Sequence, residues 1–187
     1  KGLREEILRL GGEVRFYTQV TDLVIEDGRL ASLVVRTPDG EQEIPCRQVV
    51  LAIGHSARDT TEMLHRRGLP MEQKPFAVGV RIEHLQSWID EAQYGKCDPV
   101  LPPADYKLVK HLDDGTVYTF CMCPGGYVVA AASEEGGIVT NGMSNCAREG
   151  DNANAAILVG VNPNDFPTDG PLGGMYWQRE IEQKAFS

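Results

Sequence analysis

The chain has 187 residues, of which 42% are hydrophobic and 24% charged, and this composition excludes a disordered polypeptide. Its 18 basic and 27 acidic side chains give a net charge of −9, which excludes a broad nucleic-acid interface. No apolar run approaches the roughly 20 residues that a transmembrane helix requires and no signal peptide is visible, so we expect a cytoplasmic protein with no membrane partner.

The two ends of the chain both lie within helical patterns. Leu3, Ile7 and Leu10 form an amphipathic pattern directly after Lys1, and a second pattern is still running when the chain stops at Ser187. We therefore expect an internal fragment of a longer protein. The five cysteines, an odd number scattered along the chain, favour reduced thiols and the cytoplasm over a secreted disulfide framework.

The N-terminal part predicts a helix followed by an antiparallel β-meander. The helix ends at the Gly11-Gly12 pair, and Asp27-Gly28 has the composition of a two-residue hairpin turn. Two strands flank that turn, and a third follows Pro38-Asp39-Gly40. The predicted strands comprise residues 20–26, 29–37 and 41–47.

An uninterrupted apolar run, residues 49–53 (VVLAI), follows the meander. Such a run is typical of a parallel strand that is buried on both faces. The next residues predict a glycine turn at Gly54 and then a helix, with Ser56 and Asp59 at the spacing of a capping box. Ligands gather at the carboxyl ends of strands in open α/β sheets, and a helix N-terminus attracts anions, so this turn is a candidate ligand site.

The remaining residues predict a strand, a short helix and a series of antiparallel hairpins. Residues 73–187 carry 8 basic and 15 acidic side chains, so they contribute −7 of the net charge of −9. The acidic pairs at 113–114 and 134–135 are interpreted as solvated turns. Residues 155–161 are compatible with a helix or a strand. The predicted elements comprise strands at 76–83, 106–112, 116–123, 127–133 and 138–142, a helix at 85–94, and a final helix after 174.

Several segments resemble a bacterial family of uncharacterised FAD-dependent dehydrogenases, flavoproteins of the two-dinucleotide-binding-domain type. The resemblance covers nearly the whole chain. The segments that carry it are residues 49–60 (VVLAIGHSARDT), 74–84 (KPFAVGVRIEH), 118–137 (YTFCMCPGGYVVAAASEEGG) and 140–144 (TNGMS).

The resemblance implies an α/β fold plus an α+β fold. Residues 1–72 would form a truncated FAD/NAD(P)-binding (Rossmann-like) domain with a β-meander, and residues 73–165 an inserted two-layer α+β substrate or cap domain with an antiparallel sheet. Residues 166–187 would form a linker and the start of a following helix. The chain contains no Gly-x-Gly-x-x-Gly motif, the usual phosphate-binding loop of such domains.

The resemblance also implies a function: the parent protein would be an FAD-dependent oxidoreductase that passes a hydride or electron pair between FAD and a small-molecule substrate. NAD(P)H is a candidate electron donor, and the rest of the parent chain is the expected partner. No catalytic residue and no metal ligand is assigned. The implied FAD contacts are the backbone of Val20, the strand end and glycine turn at Ala52, Ile53 and Gly54, and the adjacent side chains of His55, Ser56 and Arg58.

Two other functions remain open. Residues 54–58 nearly match the Gly-x-Ser-x-Gly turn of serine hydrolases, with Ser56 as nucleophile and Arg58 in place of the last glycine. Asp98 or Asp105 with His111 would follow in the required order. The third hypothesis is a non-catalytic cap or interaction module.

Cys121 and Cys123 form a Cys-x-Cys motif in a predicted strand, where alternation would place both thiols on one face. The spacing differs from the Cys-x-x-Cys of redox and zinc sites, so we interpret both as unreactive. Arg81 and His84, at the end of the strand predicted at 76–83, are interpreted as solvent-exposed residues.

Overall fold

The computed structural model of the chain describes residues 2–95 and 100–187. The chain divides into two compact units, Lys1–Met71 (unit 1) and Glu72–Ser187 (unit 2). Both units combine helices with antiparallel sheets, which confirms the α+β fold predicted for residues 73–165. The Rossmann-like arrangement is not confirmed, because every strand pair among the described residues is antiparallel. The roles assigned to residues 1–72, 73–165 and 166–187 stay predictions.

Unit 1 contains the predicted meander. Asp27 and Gly28 both adopt positive φ angles, 49° and 73°, as a two-residue turn between twisted strands requires. The three strands form one sheet in the order β1-β2-β3. The elements of unit 1 are α1 (Gly2–Arg9), β1 (Gln19–Glu26), β2 (Arg29–Thr37), β3 (Gly40–Pro45) and α2 (Arg58–Arg66).

The core of unit 1 lies between helix α2 and strand β1. Leu23 of β1 and Met63 and Leu64 of α2 are buried together. A bidentate ion pair between Asp22 of β1 and Arg67, the residue that caps the end of α2, joins the same two elements at the rim. Helix α1 contributes no buried residue.

The prediction of a buried strand at residues 49–53 is wrong for the described structure. These residues form no strand, and Val50 is 89% exposed. A strand needs a neighbour to accept its backbone hydrogen bonds, and no strand among the described residues pairs with this run. The meander therefore leads into an exposed, apolar and irregular segment.

Unit 2 contains a four-stranded antiparallel sheet in the order β4-β9-β6-β5 and a separate two-stranded sheet, β7-β8. The undecided segment at 155–161 is a strand, β9, and it lies between β4 and β6. The elements of unit 2 are β4 (Phe76–Leu85), α3 (Gln86–Tyr94), β5 (Val109–Leu112), β6 (Gly115–Cys123), β7 (Gly126–Ala130), β8 (Thr140–Ser144), β9 (Asn152–Val161), a 3-10 turn (Pro163–Asp165) and α4 (Gly173–Phe186).

Helix α4 belongs to unit 2, where three aromatic rings anchor it. Phe76 stacks on Phe166 with 5.1 Å between ring centroids, and Trp177 of α4 lies 5.9 Å and 5.6 Å from them. Aromatic pairs at these separations are favourable beyond the area that they bury.

The strands predicted at 127–133 and 138–142 lie instead at Gly126–Ala130 and Thr140–Ser144. The segment between them is bound by α4. Arg179 of α4 pairs with Glu134 at 2.9 Å, and the backbone N–H of Ile138 donates to the carbonyl of Glu182 at 3.0 Å. The interpretation of residues 134–135 as a merely solvated turn is therefore wrong for Glu134, which is half-buried in an ion pair.

Candidate functional site

The glycine turn predicted from the sequence is present in unit 1 and is exposed. Gly54 has φ +71°, and a Cβ added to it would meet no atom within 4 Å. His55 is exposed and Ser56 is half-buried. Helix α2 begins directly afterwards, at Arg58. Open space around a left-handed glycine permits a ligand to approach the backbone closely.

The predicted capping box at Ser56 and Asp59 is wrong. The N-cap residue is Ala57, and no side chain caps the helix. The Oδ1 atom of Asp59 instead accepts the N–H of Thr60 at 2.8 Å. One N–H of the first turn of α2, that of Thr60, is therefore satisfied by the neighbouring Asp59 side chain rather than by an N-cap side chain.

Val20 lies on an edge strand. Strand β1 pairs only with β2 in the described sheet, so the backbone groups on its other edge have no ladder partner. A register shift between Val20 and Asp22 marks a β-bulge at this point. Exposed N–H and C=O groups of an edge strand are available to the edge of a heterocyclic base.

One hydrogen bond connects this edge with the glycine turn. The Nε2 atom of Gln19, the first residue of β1, donates to Oδ2 of Asp59 at 3.3 Å. Because Gln19 precedes Val20 and Asp59 follows Arg58, the structure brings the implied FAD contacts on β1 and around Gly54 to the same end of α2.

Arg58 differs from the other implied FAD contacts because it is only 4% exposed. A guanidinium in the interior of unit 1 does not face an anion in solvent. Gly54, His55 and the edge of β1 thus fit a flavin nucleotide as a flanking backbone surface, whereas Arg58 does not fit the role of an exposed pyrophosphate ligand. Ala52 and Ile53 are exposed just before the turn.

The structure gives no support to a hydrolase triad. The side chain of Ser56 makes no hydrogen bond to any described residue, whereas such a nucleophile is normally bonded to its histidine. His111 donates to or accepts from the hydroxyl of Thr116 at 3.0 Å, within unit 2. Asp98, one of the two candidate acids, lies outside the described residues.

Unit 2 contains a polar cluster that the sequence did not indicate. Arg81 of β4 is half-buried, and its Nη1 donates to Oδ1 of Asn154 at 2.7 Å and to the carbonyl of Cys121 at 3.2 Å. Asn154 of β9 is fully buried. The interpretation of Arg81 as a solvated surface residue is therefore wrong.

Glycine permits this cluster to form. A Cβ at Gly142 of β8 would lie 2.2 Å from Oδ1 of Asn154, 2.4 Å from Nη1 of Arg81 and 2.8 Å from Sγ of Cys123. These separations are far below van der Waals contact, so only glycine lets β8 cover the arginine–asparagine pair as closely as it does.

The two thiols of the Cys-x-Cys motif do not follow strand alternation. The β6–β9 register shifts between Phe120 and Cys123, and Cys121 adopts φ +45° within this bulge. Cys121 is exposed whereas Cys123 is half-buried, so the prediction of two equivalent thiols on one face is wrong. The bulge turns the Cys121 carbonyl toward Arg81.

A second buried side chain, Gln86, holds the Pro-Gly-Gly turn. Its Oε1 accepts the N–H of Gly125 at 2.9 Å, and its Nε2 donates to Asp90 and to the carbonyl of Ala104 at 2.8 Å and 2.9 Å. The turn after Cys123 is thus fixed from within unit 2, because each polar atom of the glutamine amide has a partner.

His84 is also half-buried rather than solvated. Its Nε2 lies 2.7 Å from the hydroxyl of Tyr106, and burial raises the pKa of that phenol. His84 and Arg81 lie on opposite faces of the sheet, because strand side chains alternate. His84 therefore belongs to a separate contact with the segment that precedes β5.

Asn154 and Gln86 are the important residues that sequence reasoning missed. Their partners lie 73 and 39 residues away in the chain, so no local spacing reveals them. An asparagine within the apolar run of β9 was the only available signal.

Comparison with known proteins gives two findings. A family model described as "FAD-dependent protein, C-terminal domain-like" matches residues 75–187. A protein of Clostridium beijerinckii (strain ATCC 51743 / NCIMB 8052), named "Uncharacterized protein", is 53% identical over 191 residues, which cover 100% of this chain and 35% of the relative. The chain thus spans about a third of the length of that curated relative. No helix among residues 2–95 and 100–187 has the length and hydropathy to cross a bilayer.

Proposed function

The chain belongs to the FAD-dependent protein family whose C-terminal domain matches its residues 75–187, and on that premise we propose that it is part of an FAD-dependent oxidoreductase. The family match is the observation that carries this proposal. Bound FAD would supply hydride or electron-pair transfer, and a nicotinamide cofactor, NAD(P)H, would be its electron donor.

In this proposal unit 1 flanks the cofactor. The exposed backbone at Gly54 and the free edge of β1 at Val20 are held at one end of α2 by the bond from Gln19 to Asp59. Both surfaces offer main-chain groups without a steric barrier. The backbone of Ala52 and Ile53 and the side chains of His55 and Ser56 would line the same approach.

The Rossmann-like arrangement remains part of the proposal. Val49, Val50, Leu51 and Ile53 are each at least 40% exposed in the described structure. A continuous apolar run that is uncovered is unusual in a folded protein. We propose that in the longer protein this run is paired by further strands and becomes the central parallel strand of the FAD-binding sheet.

Unit 2 is proposed as the substrate or cap domain. Its polar cluster around Arg81 combines a half-buried cation, a fully buried amide and a strained bulge at Cys121. Strained backbone and buried polar groups concentrate at functional sites. The partners proposed for the domain are a small-molecule substrate and the rest of the longer chain.

The alternative is a non-catalytic module, and two observations favour it: the chain lacks a phosphate-binding glycine loop, and Arg58 is buried. Titration of FAD fluorescence discriminates between the two functions. We expect saturable quenching by the longer protein and none by the 187-residue chain, because the flanking surface alone lacks the pyrophosphate site. Saturable micromolar quenching by the chain alone would show that its site is sufficient, and no binding by the longer protein would favour the module.

A further inference from the structure

We propose that Arg81 is the binding residue for the carboxylate of an organic ligand, on the face of the β4-β9-β6 sheet that also carries Phe120. The inference that the ligand is a substrate rests on the proposed function. The inference that a carboxylate binds here rests on the structure of unit 2 alone.

The first observation is that Arg81 has no counter-ion. No carboxylate among residues 2–95 and 100–187 lies within ion-pair distance of its guanidinium. The nearest acid on its strand face, Glu83, accepts a hydrogen bond from Asn152 instead. Arg81 thus lacks a counter-ion among the described residues although residues 73–187 carry a net charge of −7.

The second observation is that the guanidinium is fixed and one nitrogen is available. Nη1 is held by Asn154 and by the carbonyl of Cys121, and Nε is buried without an acceptor among the described residues. Nη2 makes no hydrogen bond to a described residue and is not among the buried atoms. The solvent-facing part of the guanidinium is therefore a preoriented donor.

The third observation is that Asn154 is itself under-satisfied. It is fully buried, and its Nδ2 has no acceptor among the described residues. An unpaired buried donor is unfavourable, and the Oδ1 of the same side chain accepts the hydrogen bond from Arg81. Asn154 is therefore assigned as a positioning residue that holds Arg81, and it does not touch the ligand.

The surroundings of Arg81 favour an organic carboxylate over a bare inorganic anion. Arg81 and Phe120 both stand opposite Ala156, so they share one face, roughly 10 Å apart across three strands. The ring of Phe120 is 55% exposed. The guanidinium and the ring therefore lie on one face of the sheet, on either side of Ala156. A carboxylate would bind Nη2 while an apolar body lies against Phe120.

The test is calorimetric titration of the 187-residue chain, without flavin, with sodium benzoate, benzyl alcohol and inorganic phosphate. We expect saturable benzoate binding that weakens about tenfold or more in Arg81→Gln, since the charge and the planar guanidinium are both lost. The matched control, Lys110→Gln, removes an exposed cation of the same unit and should bind as the parent does. Phe120→Ala should weaken benzoate binding and leave phosphate unaffected.

Three outcomes would overturn the inference: no saturable benzoate binding by the parent up to about 10 mM, equal affinity for benzyl alcohol, or benzoate affinity unchanged in Arg81→Gln. If phosphate binds as tightly as benzoate and Phe120→Ala has no effect on either affinity, the proposal that the ligand is an organic carboxylate would be overturned. If circular dichroism shows that Arg81→Gln is unfolded, Arg81→Lys is measured instead. Lysine lacks the planar guanidinium, so benzoate binding should still weaken. Because no flavin is present, failure here is distinguishable from failure of FAD binding.

Discussion

Arg81 and Asn154 meet from strands far apart in the chain, and their hydrogen bond depends on small neighbours. Gly142 allows β8 to cover the pair, and the bulge at Cys121 supplies the second acceptor for Nη1. Burial of these polar groups is tolerable only while their partners stay in place. We therefore expect the pair to be sensitive to substitution.

Substitution Asn154→Ala tests that sensitivity. It removes the acceptor of a charge-assisted hydrogen bond and leaves a small buried cavity, so we expect a loss of about 2–3 kcal/mol in the free energy of unfolding. Asn164→Ala, at an exposed site in the same unit, should change it by less than about 0.5 kcal/mol. Urea denaturation measures both, and equal effects would contradict the assigned role of the buried amide.

Elements built from local signals were predicted well, and those that depend on distant partners were not. The β1–β2 hairpin follows from Asp27-Gly28, whose two residues adopt the required positive φ angles. Residues 49–53 have the composition of a buried strand, but a strand forms only where another strand pairs with it. The position of β9 inside the sheet and the Arg81–Asn154 hydrogen bond likewise depend on contacts between segments that are far apart in the chain. Such contacts produce no periodic pattern in the sequence.

Strands β4 and β9 provide a matched pair of glycine substitutions. A Cβ at Gly79 would lie 1.8 Å from the backbone oxygen of Ile157, whereas one at Gly160 would meet nothing within 4 Å. Backbone cannot yield as a side chain does, so Gly79→Ala should cost about 2 kcal/mol or more. Gly160→Ala should be neutral or slightly stabilising. Thermal unfolding of both variants checks this, and equal melting temperatures would contradict the β4–β9 packing.

The ion pair between β1 and the end of α2 makes unit 1 sensitive to acid. The hydrogen bonds from Arg67 hold the pKa of Asp22 below its usual range. A lowered folded pKa stabilises the protein above the ordinary pKa of aspartate, and that contribution is lost as pH falls through the lowered value. Arg67→Ala should therefore reduce the urea midpoint near neutral pH, and its effect should shrink at acid pH as Asp22 becomes protonated.

The control for this acid dependence is Arg66→Ala. Arg66 is exposed on the same helix and affects Asp22 only through a weaker charge interaction. Its removal should shift the midpoint less than the removal of Arg67, since an exposed interaction is screened by solvent. A deficit of Arg67→Ala that is the same at both pH values would mean that the side chain acts by packing rather than through its bond to Asp22.

Both units contribute observations to the proposal that the longer protein is a flavoprotein. The family match lies in unit 2, at residues 75–187, whereas the implied FAD contacts lie in unit 1. The sequence resemblance predicted the family. The reaction of the family and the residues that would contact FAD do not follow from the fold of the described residues. The exposed apolar run at 49–53 and the exposed turn at Gly54 are the two surfaces of unit 1 that the proposal requires to be covered in the longer protein.

The affinity of the longer protein for FAD, measured in Gly54→Val and Gly68→Val, tests the central proposal most directly. The two glycines flank α2, have nearly equal φ angles of +71° and +75°, and both lie in open space, so valine introduces similar strain at each. We predict that Gly54→Val weakens FAD binding about tenfold or more while Gly68→Val retains it, because only the first places a side chain against the cofactor. Equal affinities in the two variants, or a protein that binds no FAD, would contradict the account.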